Sequence, residues 1–349
     1  MCFFKKKTKV PSAPGWIKDK VDERDYRIEE IFGSLPPVEW KNIVDPVPMF
    51  PMKEQDGSSS CEGNAVSKNL GVLEYYEIGK YRNLSARYIY SQRENKPGQG
   101  MAFRDALDRV VKFGCPTEEL MESQGKGENE MNYNGDILED VKQTALIYKG
   151  KTYGYITNNF DSYASLMLQK APLLIGVAGS NQGWATGVPR PPKPGEAIWY
   201  HALMCPPENK NGPNFGIYNG KKAIIGDNSW GDDWGIKGQF ILTEDYPILW
   251  NFTLAGLPDN WRDLEEGVGE KPVFEFKKPL YYGMKAMPDV VMLQKCLKWL
   301  GMFPIEISET GNFYSVTVNA VKLFQSTKQI AVTGTVDAAT LEKLNLIFK

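Results

Sequence analysis

One histidine, His201, occurs in the 349 residues, so any proton transfer through an imidazole must use it. Upstream lies Gln55-Asp-Gly-Ser-Ser-Ser-Cys61, and downstream Asn228-Ser-Trp-Gly-Asp-Asp-Trp-Gly-Ile-Lys-Gly-Gln-Phe240. A free thiol with a pKa of about 8.5 is mostly protonated at neutral pH, and the thiolate is the nucleophile. Cys61 opens a run with Ala65, Val66, Leu70, Leu73 and Tyr76 at helical spacing, which would aim the positive end of a helix dipole at the sulfur. An imidazolium at His201 would favour the anion further, the two titrating as a coupled pair, and would later protonate a leaving amine. Asn228 offers a neutral acceptor to hold the ring in one orientation, and Trp230 is placed to keep water from that bond. The backbone N–H of Cys61 and the side-chain amide of Gln55 would serve a developing oxyanion. Together these residue types describe acyl transfer through a thioester.

Positioning them requires helices early and strands late. Phe103, Ala106, Leu107, Val110 and Val111 repeat with helical period up to Gly114 and Pro116, and a short helix is expected over 162–170. Leu173–Ala178, Ala197–Met204, Ala223–Gly226 and Gly235–Leu242 read as strands, while Val188–Pro194 is too rich in proline to join a ladder. The fold class expected is α+β, a two-lobed body with a helical lobe and a β-barrel-like lobe around a cleft, followed by a small three-helix domain. The boundaries read are 1–40 for a tail and extended strap, 41–256 for the main domain, 257–282 for a linker and 283–349 for the last domain.

Composition excludes several classes. With 41 basic and 43 acidic residues there is no electrostatic footprint for nucleic acid, and no run reaches the roughly 18 apolar residues of a membrane span. Cys2, Cys61, Cys115, Cys205 and Cys296 are scattered without a Cys-x-x-Cys pair, which argues against a disulfide framework or a structural zinc. All but Cys61 read as buried small hydrophobes. No metal or cofactor is expected. The N-terminus lacks the charge-then-apolar order of a secretory signal, so the default expectation is a cytoplasmic protein, with virion association or release by lysis as alternatives.

Residues 15–245 resemble the papain-like cysteine peptidases, bacterial and viral type. The pieces that carry this are Gly15-Trp16, Arg24-Asp25-Tyr26, Gln55, Ser60-Cys61-Glu62-Gly63-Asn64-Ala65, Leu84–Tyr90, His201-Ala202 and the long Asn228–Phe240 motif. The 140 residues between Cys61 and His201 fall within the roughly 130–150 of that family. The resemblance implies a Cys61-His201-Asn228 triad, an oxyanion hole from Gln55 and Cys61, a supporting Trp230, and a segment 15–40 able to lie across the cleft as an inhibitory strap. The chain departs from the pattern at Ser59 and Ser58, where relatives have Gly and a disulfide Cys. It departs again at Glu62, a carboxylate that would oppose the thiolate if it pointed inward, and at Cys205-Pro-Pro after the histidine strand.

Residues 283–349 resemble a peptidoglycan-binding-like three-helix domain, through Val290, Leu293, Gln294, Leu297, Leu300-Gly301, Thr310-Gly311, Phe313, Thr317, Ala320-Val321, Phe324-Gln325, Gly334, Thr340 and Leu344. Ser315 and Asp337 are expected N-caps, and Tyr314 stands where the family commonly has Gly. Seven Lys against five acids leave this part weakly cationic. The functional expectation is a cysteine endopeptidase acting on protein or peptide substrates and targeted by its C-terminal module. The alternatives are a lysin for peptidoglycan peptides, or an inactive papain-like structural or virion-associated protein.

Overall fold

The computed structural model describes residues 15–19, 22, 26–33, 35–257, 271–303, 308–328 and 330–349. The basic tail, Cys2 and half of the expected linker (258–270) lie outside these. The chain divides into two compact units, Met1–Asp136 with Ala145–Asp259, and Ile137–Thr144 with Asn260–Lys349.

The first unit carries the helices α1 (Ile28–Phe32), α2 (Cys61–Ile78), α3 (Ala86–Tyr90), α4 (Phe103–Lys112) and α5 (Glu128–Asn132), and α6 (Glu139–Ala145) belongs mainly to the second. After β1 (Thr152–Gly154) come α7 (Phe160–Leu168), β2 (Leu173–Gly179) and β3 (Trp199–Cys205). Then follow β4 (Glu208–Asn209), β5 (Gly212–Pro213), β6 (Phe215–Tyr218), β7 (Lys221–Asp227), β8 (Gln239–Thr243) and β9 (Ile248–Ala255). The main sheet is antiparallel and curled, in the order β1-β9-β2-β3-β7-β6, with β8 on β7. The fold class is therefore the expected α+β. Two strand expectations change. Gly235–Gly238 is a turn rather than the start of a strand, because Gly238 sits at φ +84° and folds its carbonyl back toward Asn228. The strand at Ile248–Ala255 was not anticipated, although it pairs with both β1 and β2.

The sequence of α2 predicts an amphipathic helix, but this helix is buried almost all round, from Cys61 to Glu74. It runs through the core, with Val66 and Leu70 among the apolar cluster that includes Phe103, Leu107, Ala202 and Phe252. A second cluster fills the other side of the sheet around Trp184, Leu203, Ile224 and Phe240. The helix that begins at Cys61 is thus gripped along its length rather than along one stripe, which fixes where its N-terminus points.

Buried charge joins α2 to β7. Lys68, two turns after Cys61, pairs with Asp227 at 2.7 Å with both side chains almost wholly buried, and Gln239 donates to the other Asp227 oxygen at 2.8 Å. Asp227 immediately precedes Asn228. Lys68→Met should therefore cost about 3–5 kcal/mol in urea unfolding, because Asp227 would remain as a buried unpaired charge. Pairing it with Asp227→Leu should recover much of that loss.

The second unit holds α8 (Pro288–Trp299), α9 (Ser315–Thr327) and α10 (Ala338–Phe348), the three helices expected. Gln294 and Gln325 tie it together from within: each accepts backbone N–H bonds through its oxygen and donates to threonines through its nitrogen. Asp337 caps α10 by accepting from Thr340 N–H at 2.9 Å. The other expected cap is corrected: Ser315 is the first residue of α9, and the cap position is Tyr314, which makes no capping bond.

Candidate active site

Cys61 is the first residue of α2, as its position before the helical run predicts. His201 lies mid-strand on β3, and β3 pairs with β7, which runs straight into Asn228. Two antiparallel strands thus bring the histidine and asparagine side by side across the sequence gap. The Nε2–H of His201 donates to Asn228 Oδ1 at 2.8 Å. The same oxygen accepts the Ser229 backbone N–H at 2.8 Å, a donor that fixes which way the amide faces. With Nε2 occupied, Nδ1 is the ring nitrogen left for proton exchange. Cys61 approaches the same strand, where the Ala202 N–H donates to its sulfur.

The indole of Trp230 stacks on the His201 ring, with centroids 4.9 Å apart and planes at 25°. Trp184 and Trp199 meet the ring edge-on at 6.0 and 5.9 Å. The sequence pointed to Trp230 alone; Trp184 sits in no motif, while Trp199, two residues before His201 on the same strand, shares its face by strand alternation, a signal the motif reading passed over. Gln55 is brought in by pairing of residues 53–55 with 229–231, through Gln55 N–H to Ser229 O at 2.9 Å and Gly231 N–H to Lys53 O at 3.0 Å. Its side-chain oxygen accepts from the Ser229 hydroxyl at 2.7 Å, and its nitrogen donates one proton to Ser58 O at 2.6 Å. The turn that returns the chain to Cys61 places Gly57 at φ +77°, a conformation suited to glycine. Gln55, Cys61, His201, Asn228 and Trp230 are all buried within the first unit.

That burial corrects one expectation. In place of a thiolate-imidazolium pair, desolvation pushes the Cys61 thiol far up, helped by the neighbouring Glu62, and pushes His201 down to about 4 against the raising effect of Asn228. Burial therefore opposes ionisation of both groups. At His201 the three tryptophans supply the burial, and at Cys61 the N-terminal segment adds to it. Gly15 lies so close that a Cβ there would fall 2.3 Å from Cys61 Sγ. Trp16 forms a parallel bridge with Met101, and its ring packs on Phe103 and Tyr200 with centroids at 5.7 and 6.0 Å, over a bare Gly176 whose Cβ would strike it at 2.7 Å. Asp19 then accepts the Phe103 and Arg104 N–H groups at 3.1 and 2.9 Å, supplying α4 with the cap its own Ala102 cannot. The segment is extended from Gly15 to Asp19, as expected, but makes one helical turn at Ile28–Phe32.

Glu62 is wholly buried and neither of its oxygens has a hydrogen-bond partner. Desolvation raises its pKa strongly, and Asp19 and then Asp105 raise it further, while Arg109 binds Asp105 at 2.7 Å and Arg104 lies 3.9 Å from Asp19. Burial also raises Asp19. A docked segment therefore holds protons that an undocked one releases, so docking is strongest at low pH and weakens as pH rises above the ordinary carboxylate range near 4. Thiol reactivity measured from pH 4 to 8 should rise more steeply in the wild type than in Glu62→Gln. Equal slopes after correction for thiol ionisation would remove Glu62 from this linkage.

Residues 286–344 match the family described as a putative peptidoglycan binding domain. Among solved structures, the chain is similar to xylellain, a cysteine protease from Xylella fastidiosa, at 18% identity and a TM-score of 0.57, covering 74% of this chain and all of that one. It is also similar to proCathepsin B S9 from Trypanosoma congolense, at 15% identity and a TM-score of 0.47, covering 66% and 85%. Comparison with curated sequences gives no match. The fold of the first unit is papain-like, and the C-terminal helices form a peptidoglycan-binding-type domain.

Proposed function

We propose that this chain is a cysteine peptidase that hydrolyses peptide bonds through Cys61, His201 and Asn228, is kept latent by its own Gly15–Asp19 segment, and is carried to cell-wall material by residues 286–344. The observation that carries this is the 2.8 Å bond from His201 to Asn228 beneath Trp230, on the strand whose Ala202 N–H reaches the Cys61 sulfur. Once the strap leaves, water re-enters and the desolvation that opposes ionisation of the thiol is relieved. The thiol proton then passes to His201 Nδ1, and the helix N-terminus favours the anion. Sγ attacks the scissile carbonyl, whose oxyanion meets the Cys61 N–H and the second amide proton of Gln55. His201 returns its proton to the leaving amine, giving a thioester. It then takes a proton from water, which adds to the thioester and releases the acid and the thiol.

A second reading, a lysin that cuts the peptides of peptidoglycan, is favoured by the C-terminal family match. Turnover of casein against purified cell wall separates the two: cleavage of casein with intact wall peptides supports the general endopeptidase, and the reverse supports the lysin. An unreactive scaffold, to which the unpartnered Glu62 beside the nucleophile would suit, requires that neither be cut even after the strap is displaced.

A further inference from the structure

Two helices of the C-terminal unit start without a side-chain cap: α8 at Met287, where Pro288 in the first turn has no N–H to satisfy, and α9 at Tyr314, where nothing substitutes for the cap. Tyr314 occupies the N-cap of α9, where Ser, Thr, Asp or Asn would satisfy a first-turn N–H and add about 1 kcal/mol, yet it makes no capping bond. Nor is it used in the core, since the neighbouring Phe313 is the buried residue and Tyr314 faces outward, 38% exposed. Backbone pairing brings a second exposed ring to it. Gly283 N–H donates to Phe313 O at 3.0 Å and Phe313 N–H to Met284 O at 2.8 Å. Tyr282 and Tyr314 consequently flank one short bridge, with centroids 5.9 Å apart and planes at 62°.

Tyr282 is 65% exposed and Tyr281 beside it 54%. These are the only three exposed aromatic side chains among the described residues of 271–349; Tyr282 and Tyr314 are in ring contact, and Tyr281 precedes Tyr282 in the chain. Departures from local consistency that return no packing concentrate at functional places, and clustered exposed apolar surface marks a binding face. Tyrosine combines an apolar ring face with a polar edge, which suits a ligand that is itself apolar on one face and hydroxylated around its rim. A pyranose ring has that character, with axial C–H groups over its face. The inclined Tyr282–Tyr314 pair offers two faces to successive rings of a chain, with Tyr281 exposed next to it in sequence.

We propose that Tyr281, Tyr282 and Tyr314 form a stacking platform for the sugar rings of a β-linked amino-sugar polymer. The proposal rests on the wall-binding reading of residues 286–344 and adds to it the glycan, rather than the peptide, as the part bound, and the residues that bind it.

The test is co-sedimentation of the full-length protein with purified, protein-free peptidoglycan, with thermal unfolding recorded in parallel. Tyr314→Asp is the informative variant because the two readouts should move in opposite directions: the new cap raises the unfolding temperature of the C-terminal unit, while affinity falls at least tenfold. Tyr282→Ala should weaken binding similarly, and Tyr314→Phe should retain it. Soluble chito-oligosaccharide should compete, whereas free stem peptide should not. Wild-type sedimentation with unchanged binding in Tyr314→Asp and Tyr282→Ala, or competition by stem peptide alone, would overturn the platform and leave wall binding standing. Absence of wild-type binding to both wall and oligosaccharide would overturn both.

Discussion

Replacing Gly15 with Ala should unmask the Cys61 thiol. The added methyl would lie 2.3 Å from Sγ and 3.0 Å from the Ser59 carbonyl, distances that the docked strap cannot keep. The sulfur sits at the start of a helix buried along most of its length, so the strap rather than the helix must yield. Gly15 is not in the left-handed region, so alanine carries no backbone penalty of its own. We expect epoxide labelling of the thiol to accelerate at least tenfold, with the urea midpoint of the main domain unchanged. Trp16→Ala should go further. Truncating a buried indole costs about 3–5 kcal/mol, which corresponds to a shift of roughly 10²-fold or more in docking if the loss falls on the strap. Unchanged labelling in both variants would mean that the strap does not govern access.

Asn228→Ala should lower kcat by about 10²-fold in a strap-displaced background with little change in KM, in line with the contribution of a positioned acid-base group. Asn228 holds the imidazole through its Oδ1, so its effect runs through the ring. A merely structural role would not alter titration, but this bond raises the pKa of His201. Its loss should therefore shift the histidine limb of the pH–kcat/KM profile to lower pH. Asn228→Gln should restore neither rate nor titration, because the Ser229 N–H fixes the shorter amide in place. A profile that falls in height without moving would show that Asn228 supports the fold and not the imidazole.

The candidate site was largely legible because a solitary histidine and a long Asn-Ser-Trp-Gly motif leave few alternatives. Helices with a regular apolar period, such as α4, were legible for the same reason: their pattern is local. The geometry around Glu62 was not. A carboxylate after the nucleophile reads as an obstacle, and only the fold shows it buried without a partner beside Asp19, more than forty residues away in sequence. The capping of α4 by that same Asp19 joins residues 84 apart, and Trp184 reaches His201 from a loop outside its strand. Local pattern encodes neither. In α9 the local rule gave the wrong cap: Ser315 is already helical, and Tyr314 stands at the cap position without a capping bond.

Mass spectrometry of the Gly15→Ala protein after treatment with an epoxide thiol trap addresses the central claim most directly. The account predicts one adduct, on Cys61, lost in Gly15→Ala/His201→Ala and kept in Gly15→Ala/Cys205→Ser. An unmodified Cys61, or labelling that is indifferent to His201, would contradict it.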